Sequence, residues 1–387
     1  MSKLKDLQSI LERGRNSSPP SSEKPVWRGP EIDGITASLL SKFLTCRERF
    51  RILVVGGWKP VDQFSHRLEF GSMWHACEEG LANGKGWVEV LTRHVQELSK
   101  RWGEKRQEID RWTQACMVEF PIYMKHWAKH PDVKDRKPLL AEQVFNVPYQ
   151  LPSGRKARLR GKWDSADVVN GRTWLQENKT KGEIDEPAIR RQLSFDLQTM
   201  LYVSALAETD WGRGVPFGGI RYNVIRRPFS GGKGDIVGHP RAATQGAKCP
   251  KCKGAGCLKC KGAGRIGAKP AETTNAFYGR LTELIEAAPK EWFARWNVPI
   301  TMHDVARFKR QFLNPCLEFL SCWWNQMDGG SRLHDVEIMV KNCHWRHPYG
   351  VFNPIDNGQW GEYDNYLESG STAGLQRVTD LFPELAA

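Results

Sequence analysis

The sequence predicts a mixed α/β protein in which helices surround a central sheet. The first two observations are helical spacing of apolar residues over positions 36–53 and 70–130 and an alternating pattern over positions 139–176. The third is a further helix and strand over positions 187–226. Apolar side chains every three or four residues are typical of helices, and period-two alternation between Ser-Gly and Asn-Gly turns is typical of antiparallel strands. This order of elements indicates a mixed α/β core.

The N-terminal third is predicted to be a tail followed by helices. Residues 1–32 are expected to form a flexible tail, because a stretch rich in Ser and Pro interrupts them. A helix is predicted over 36–53, with Thr36 or Ser38 as its cap, and a second one over 70–82. More helices are predicted between positions 86 and 130.

The alternating stretch is predicted to contain three strands. The first alternates over positions 145–149, the second ends at Asp164, and the third ends at Glu177 and Lys179. One long helix is then predicted over 187–208, a returning strand over 218–226, and mainly helix over 274–326.

The composition is that of a globular protein with a basic surplus. Of 387 residues, 40% are hydrophobic and 26% are charged, which excludes a mostly disordered, collagenous or coiled-coil chain. Lys and Arg number 57 against 44 Asp and Glu, a net charge of +13. Positions 236–271 contain no acidic residue and eight basic ones. This distribution favours a polyanionic partner.

Neither a membrane span nor a secretory signal is predicted. The longest aliphatic run covers positions 52–55, far below the roughly 18 residues of a membrane span. The N-terminus is too charged for a signal peptide. We therefore expect a cytoplasmic protein whose ten cysteines are metal ligands or buried thiols rather than disulfides.

Asp164, Glu177 and Lys179 are the strongest candidates for chemistry. Glu177 and Lys179 are two residues apart on a predicted strand and therefore point to the same face. If the hairpin brings Asp164 alongside, two carboxylates and an ammonium converge, a set that suits Mg²⁺ or Mn²⁺ and stabilisation of charge on a phosphate. On residue types alone the signal is weak, and a solvated face of ion pairs is the commoner interpretation.

Several motifs in a fixed order extend this constellation. They are a helix with Cys46, a helix with His75 in EFGSMWHACEEG, the strand AEQVFNVPY, the strand GKWDSADVV, LQENKTK, Gln198-x-x-x-Tyr202 and GGIRYNVIRRP. In this order they resemble the PD-(D/E)XK nuclease superfamily, specifically the RecB-like exonucleases of phages, which are related to CRISPR-associated RecB-type nucleases. The resemblance spans roughly residues 35 to 350. It implies a restriction-endonuclease-like core with a mixed central sheet flanked by helices.

The resemblance also implies roles for individual residues. His75, Asp164 and Glu177, with the carbonyl of Asn178, are expected to hold Mg²⁺ or Mn²⁺, and Glu142 is a further helper. Lys179 is expected to serve the attacking water, while Gln198 and Tyr202 position the strand or the lysine. In-line attack on DNA would leave a 5′-phosphate. The residues predicted to contact DNA near the site are Arg160, Lys162, Lys181 and Arg191.

The implied biology is that of a phage enzyme. An exonuclease of this kind would act in DNA recombination, replication or host-DNA degradation in the bacterial cytoplasm, with a single-strand annealing protein as a partner. In this interpretation residues 33–387 form one nuclease domain, and residues 240–268 are an inserted module.

Four cysteines in that module predict a structural zinc site. Two Cys-x-x-Cys pairs separated by four residues can present four thiolates to one tetrahedral ion, and an iron–sulfur site or free thiols are the alternatives. The ligands are Cys249, Cys252, Cys257 and Cys260. The lysines expected to contact DNA phosphates are Lys251, Lys253, Lys259 and Lys261.

A second metal group of the family is expected to be absent. Many relatives place one cysteine early and three near the C-terminus around an iron–sulfur cluster. Cys46 and Cys343 fit two of those places, but Val351 and residues 353–355 stand where the other cysteines would be. Cys316 and Cys322 are expected to be core thiols.

Two other functions remain open at this level. The Cys-x-x-Cys-x-Gly-x-Gly repeats and the tripeptide at positions 130–132 resemble a J-domain co-chaperone, although that family has four such repeats. A DNA-binding protein that has lost its nuclease activity is the other alternative. Metal-dependent DNA cleavage and stimulation of a chaperone ATPase would distinguish the three.

Overall fold

A five-stranded mixed sheet with helices on both faces forms the centre of the protein. The computed structural model describes residues 25–130, 136–193, 196–209, 216–229, 240–328 without 254, 256, 262, 264 and 268, and 365–385 without 366, 367 and 373. No helix within these ranges is long and apolar enough to cross a membrane. The predicted fold class is confirmed.

Helices precede the central sheet, connect its third strand to its fourth, and follow its fourth strand along the chain. They are α1 (Ala37–Thr45), α2 (Arg47–Phe50), α3 (His66–Ala82), α4 (Trp87–Arg101), α5 (Arg106–Trp127), α6 (Glu186–Leu193), α7 (Leu197–Leu206), α8 (Thr274–Ala287), α9 (Met302–Phe308) and α10 (Asn314–Asp328). The strands are β1 (Trp58–Pro60), β2 (Lys137–Gln150), β3 (Lys156–Val169), β4 (Arg172–Lys181), β5 (Phe217–Arg226), β6 (Ala247–Lys248), β7 (Arg265–Ile266), β8 (Phe293–Pro299), β9 (Ser371–Thr372) and β10 (Leu375–Arg377).

The central sheet has the strand order β2-β3-β4-β5-β8. The pairs β2–β3, β3–β4 and β5–β8 are antiparallel, whereas β4 and β5 are parallel. A parallel neighbour requires a crossover, which α6 and α7 provide between β4 and β5. A three-stranded sheet (β1-β10-β9) and the hairpin β6–β7 lie outside it.

The two faces of the central sheet are covered by different helices. The Tyr222 hydroxyl donates to Thr199 Oγ1 on α7 at 2.9 Å, whereas the next residue, Asn223, donates to the Tyr123 hydroxyl on α5 at 2.7 Å. Because successive strand residues point to opposite faces, α7 and α5 lie on opposite sides of the sheet. One core includes residues of α1, α7 and α10, and the other includes residues of α3, α4, α5 and α8.

The first predicted helix is shorter than expected. Thr36 caps α1 by accepting the Leu39 N–H, as predicted, but α1 ends at Thr45. The chain continues through α2 and a π-helical turn over Arg51–Val55. The four aliphatic residues of this turn, at positions 52–55, are all buried.

Two other predictions about elements are corrected by the structure. Residues 187–208 do not form one helix: α7 begins at 197, where the Asp196 side chain accepts the Thr199 N–H and caps a new helix. Asp164 lies inside β3 rather than at its end. Residues 274–326 are mainly helical, as predicted, and Phe293–Pro299 within them pairs with β5 as the edge strand β8.

The predicted tail extended too far into the chain. Trp27 is completely buried, and its indole N–H donates to the Gly34 carbonyl at 2.8 Å. Val26 also donates its backbone N–H to Val55 at 2.8 Å. Residues 25–32 therefore belong to the packed fold, because the apolar surface of one tryptophan outweighs the polar composition around it.

The close packing of α7 on β3 generates a prediction at Gly161. A Cβ there would lie 2.6 Å from Phe145 Cζ and 2.8 Å from Tyr202 Cε1. The two rings pack edge-on with centroids 5.3 Å apart, so they would have to separate. We expect Gly161→Ala to lower the free energy of unfolding by about 1–3 kcal/mol in urea titrations.

Gly103→Ala is the matched control, because a Cβ at Gly103 meets no atom within 4 Å. Equal urea midpoints for the two variants would contradict the packing argument.

Candidate active site

The candidate site lies where β3 and β4 separate. The ladder between these strands runs from Val169 opposite Arg172 to Ser165 opposite Gln176. One residue further, Asp164 Oδ2 accepts the backbone N–H of Asn178 at 2.7 Å. The strand β4 meanwhile stays paired with β5 as far as Lys181. The Asp164 carboxylate thus lies between the two strands. It accepts the Asn178 N–H, which in a continued ladder would donate to the backbone of β3.

Glu177, Lys179 and Gln198 form a closed triangle of hydrogen bonds. Lys179 Nζ donates to Glu177 Oε1 at 2.6 Å and to Gln198 Oε1 at 3.0 Å, and Gln198 Nε2 donates to Glu177 Oε1 at 2.9 Å. Gln198 Nε2 also lies 3.2 Å from the Tyr202 hydroxyl, one helical turn further along α7. The sheet and α7 therefore fix the ammonium and the carboxylate from two directions.

A second group of ligand atoms lies beside the first. His75 Nδ1 is 3.6 Å from Glu142 Oε1 and 3.8 Å from Asp164 Oδ1, and the ligand atoms of these three residues lie within 4.8 Å of one another. Lys162 Nζ contacts the other carboxylate oxygen of Glu142 at 2.7 Å. Four elements, β2, β3, β4 and α3, thus bring acidic or imidazole groups to one place.

Glu142 has an unusual backbone conformation for a strand residue. Its neighbours Ala141 and Gln143 pair with Ser165 and Trp163, which places it opposite Asp164. Its φ is +48°, in the left-handed region that residues with a Cβ rarely adopt. Such strain concentrates at functional sites. The sequence analysis named Glu142 only as a further helper. Its position opposite Asp164 in the ladder between β2 and β3 is what identifies it as part of the candidate site.

The charges of the site are strongly interdependent. Burial raises the pKa of Asp164, and burial together with the charge of Asp164 raises the pKa of Glu177 to about 7. Burial alone would lower the pKa of His75, but the carboxylates of Asp164 and Glu142 raise it to about 9. Burial likewise opposes the charge of Lys179, yet its ion pair with Glu177 raises its pKa above the ordinary value.

The chemistry of the donor set fits a divalent cation. The oxygens of Asp164, Glu142 and Glu177 are hard ligands of the kind that Mg²⁺ and Mn²⁺ prefer, and a histidine nitrogen completes the set. Glu177 Oε2 is buried and has no hydrogen-bond partner among the described residues. Burial, and after it repulsion from a neighbouring carboxylate, raises the pKa values of Asp164 and Glu177, and a cation would relieve that repulsion. These residues therefore fit a metal ion.

The structure brings most of the predicted site residues together, with differences in detail. Glu177 bonds to Lys179 and Gln198, while Glu142 takes a place beside His75 and Asp164. The side chain of Asn178 lies on the α5 face of the sheet, where Asn223 Nδ2 donates to its Oδ1 at 2.8 Å. Its backbone N–H, by contrast, lies at Asp164.

The basic residues predicted to contact DNA occupy different environments. Arg160 donates to the Asp33 carbonyl at 3.1 Å and stacks on Phe382, and Lys162 pairs with Glu142. Lys181 is half-buried at the end of β4, and Arg191 is exposed on α6. Arg160 and Lys162 thus have partners within the protein, whereas Arg191 is on the surface.

The cysteine module forms a compact thiol cluster. Cys249, Cys252 and Cys257 offer sulfur atoms within 4.8 Å of one another, and Cys249 Sγ lies 3.8 Å from Cys257 Sγ. Hydrogen bonds from the backbone of Cys252 and Lys251 lower the pKa of the Cys249 thiol, which favours a thiolate. The side chain of Cys260 lies outside the described residues.

The two Cys-x-x-Cys turns share one backbone feature. Lys253 and Lys261, each directly after the second cysteine of its pair, both have a φ of +51°. Repetition of a rare left-handed residue at equivalent positions indicates that the two turns have related shapes. The repeat glycines at 254, 256, 262 and 264 lie outside the described residues.

The remaining cysteine predictions have mixed outcomes. Cys46 is buried, and its sulfur accepts the Arg49 N–H at 3.4 Å. Cys316 is half-buried and packs against the core of α1, α7 and α10, and Cys322 is also half-buried. Cys343, residues 351–355 and positions 131–132 of the co-chaperone tripeptide lie outside the described residues.

Comparisons with known proteins identify a family. A family model of the PD-(D/E)XK nuclease superfamily matches residues 35–301, which is more than half of the chain. Among solved structures, the crystal structure of SSO0001 has 10% sequence identity, covering 49% of this chain and 70% of its own, at a TM-score of 0.17. That score is too low to carry an argument about fold or function. No curated protein matches the chain.

The repulsion among the site carboxylates predicts stabilisation by Mg²⁺. At a Mg²⁺ concentration ten times the dissociation constant, binding to the native state would add about 1.4 kcal/mol to the free energy of unfolding. We expect Mg²⁺ to raise the melting temperature of the wild type and to have much less effect on Asp164→Asn, measured by differential scanning calorimetry.

Asp304→Asn is the matched control, since Asp304 belongs to the capping box of α9. It should lower the melting temperature without Mg²⁺ but keep the Mg²⁺-dependent rise. An equal rise in wild type and Asp164→Asn would place the ion elsewhere.

Proposed function

The chain belongs to the PD-(D/E)XK nuclease superfamily, and on that premise we propose that it is an exonuclease that hydrolyses DNA with the help of Mg²⁺ or Mn²⁺. Membership itself implies metal-dependent nuclease activity with DNA as the substrate. The observation that carries the proposal is the partly buried triangle of Glu177, Lys179 and Gln198 next to the group of His75, Glu142 and Asp164.

The lysine is the reactive cation of the proposed mechanism. An ammonium has three N–H donors, and Lys179 gives two of them to Glu177 and Gln198. The third donates to the attacking water or to an oxygen of the scissile phosphate, where it stabilises the negative charge that develops. Gln198, supported by the Tyr202 hydroxyl, prevents the lysine from collapsing onto Glu177 alone.

The carboxylates hold the ion and orient the nucleophile. Asp164, Glu177 and His75, with Glu142 and the carbonyl of Asn178, are the proposed ligands. A bound divalent ion supplies Lewis-acid stabilisation of the phosphate and lowers the pKa of water. In-line attack on the phosphodiester then leaves a 5′-phosphate and a 3′-hydroxyl. The site is built on strands, which hold these side chains more precisely than loops do.

The cysteine module is proposed to bind zinc and to contact the DNA backbone. The four ligands are Cys249, Cys252, Cys257 and Cys260. Lys251, Lys253, Lys259 and Lys261 surround the cluster, and each is exposed. Lysines that contact phosphates give affinity that is independent of sequence and falls with salt. The module would therefore hold the duplex while the catalytic residues act on one strand.

The order of the sequence motifs supports a narrower proposal. It is closest to that of RecB-like exonucleases of phages, and we propose that the protein acts in DNA recombination, replication or host-DNA degradation in a bacterial cytoplasm. A single-strand annealing protein is the proposed partner. Residues 33–387 are proposed to act as one nuclease domain that carries the zinc module as an insertion at 240–268.

The nuclease proposal is tested with end-labelled DNA. We expect Mg²⁺-dependent release of nucleotides from the wild type, and a loss of about 10²-fold or more in rate for Lys179→Ala and Asp164→Asn, because each removes a group that stabilises the transition state. Single-stranded and double-stranded substrates are compared in a discontinuous assay. A covalently closed circular DNA, which has no ends, separates end-directed from internal cleavage.

Lys309→Ala is the matched control. Lys309 also forms an ion pair with a glutamate, Glu208, at 2.5 Å, but this pair lies just beyond the C-terminal end of α7. It should keep wild-type activity. DNA binding without Mg²⁺-dependent cleavage by the wild type would instead identify a protein that only binds DNA.

Metal analysis tests the cysteine module. We expect one zinc per chain in the purified protein and its loss in Cys249→Ser with Cys252→Ser, accompanied by weaker DNA binding and a shallower salt dependence. Cys316→Ser with Cys322→Ser is the control that should retain zinc. Iron together with visible absorbance would identify a cluster and reject zinc.

A further inference from the structure

We propose that Tyr123 and Asn223 are positioning residues of the metal site, although they lie on the face of the sheet opposite Glu177 and Lys179. The inference rests on the proposed function only in so far as that function requires a divalent ion at Asp164. Both side chains are almost completely buried, with exposed fractions of 4% and 0%. Their hydrogen bonds lead to the side chain of Asn178, whose backbone N–H donates to Asp164.

Asn223 is the link to β4. It stands opposite Asn178 in the parallel ladder, and its Nδ2 donates to Asn178 Oδ1 at 2.8 Å and to the Tyr123 hydroxyl at 2.7 Å. An amide NH₂ has two hydrogens, so both are used. Asn178 Oδ1 also accepts from Gln176 Nε2 at 3.3 Å, which occupies both of its lone pairs. The orientation of the Asn178 side chain is therefore fixed.

Tyr123 connects this link to α5 and β8. Its hydroxyl accepts from Asn223 Nδ2 and from Arg295 Nη2, at 2.7 Å and 3.3 Å. Burial and the nearby carboxyl group of Glu78 on α3 raise the pKa of Tyr123. The network thus joins α5, β4, β5 and β8, and Glu78 of α3 lies beside it.

The network reaches the candidate metal site along two routes. Through β4 it holds Asn178, whose N–H fixes the Asp164 carboxylate at 2.7 Å. At α3 it lies beside Glu78, which is three residues after His75 and therefore about one helical turn away. Asp164 and His75 are two of the three groups whose ligand atoms cluster. Their separation depends on how β4 and α3 are held together.

A purely structural role would not require this arrangement. Apolar side chains of similar size fill the same face nearby, including Ile225 and Phe293. Burying polar groups contributes little net stability, and such groups are costly when a partner is lost. A saturated network does, however, specify one geometry, because any shift of β4 against α5 breaks hydrogen bonds. That property suits residues that support metal ligands.

The test compares two substitutions that each remove one buried tyrosine hydroxyl. In Tyr123→Phe the network loses its centre. Tyr149→Phe removes a hydroxyl that donates to Asn314 Oδ1 at 2.6 Å. Tyr149 is 6% exposed and belongs to the other core. Both full-length, zinc-replete proteins are measured for melting temperature, for Mn²⁺ affinity by titration calorimetry, and for the Mg²⁺ dependence of DNA cleavage.

We expect Tyr123→Phe to weaken Mn²⁺ binding by about 10-fold or more, in the range known for partners of metal ligands, and to leave the KM for DNA unchanged. Tyr149→Phe should lower the melting temperature by a similar amount and bind Mn²⁺ like the wild type. If Tyr123→Phe binds Mn²⁺ as the wild type does, the inference is wrong.

Other outcomes separate this inference from the proposed function. A wild type that binds Mn²⁺ but does not cleave DNA rejects the nuclease activity, and the Mn²⁺ affinity of Tyr123→Phe still decides the inference. A wild type that binds no Mn²⁺ rejects both. If Tyr123→Phe does not fold, Asn223→Ser, which removes the same connection to Asn178, undergoes the same measurements.

Discussion

The hydrogen bond from the Asn178 N–H to the Asp164 carboxylate is the contact on which the rest of the site depends. It replaces a bond that would continue the ladder between β3 and β4, and so it opens the sheet without leaving an unsatisfied backbone donor. The opening accommodates polar side chains from β2, β3, β4 and α3 in the middle of an otherwise apolar fold. A sheet that stayed paired here would have no room for them.

Opposite charges on neighbouring elements make this opening tolerable. Lys179 pairs with Glu177 and Lys162 pairs with Glu142, while His75 stands between Glu142 and Asp164. Buried ions are costly unless they are paired and hydrogen-bonded. Three carboxylates nevertheless lie close together at the centre, and burial together with the charge of Asp164 raises the pKa of Glu177. The fold and the affinity for a cation therefore have the same electrostatic origin.

Local patterns in the sequence predicted what depends on local geometry. The two-residue spacing of Glu177 and Lys179 and the four-residue spacing of Gln198 and Tyr202 place each pair on one face, as the structure has them. The left-handed conformation of Glu142 and the new helix at Asp196 were missed, because each depends on contacts with other elements. The connections of Tyr123 and Asn223 were missed for the same reason: residues 100 positions apart in sequence meet only after the sheet has formed.

The cysteine module enters and leaves the core at nearly the same point. Thr244 and Lys269 exchange backbone hydrogen bonds at 3.0 and 3.1 Å, and the Arg241 N–H donates to Glu272 at 2.8 Å. Since its two ends are already tied together, the segment places little demand on the register of β5 or the start of α8. A change in its length or sequence would therefore leave the strands that carry the candidate site in place.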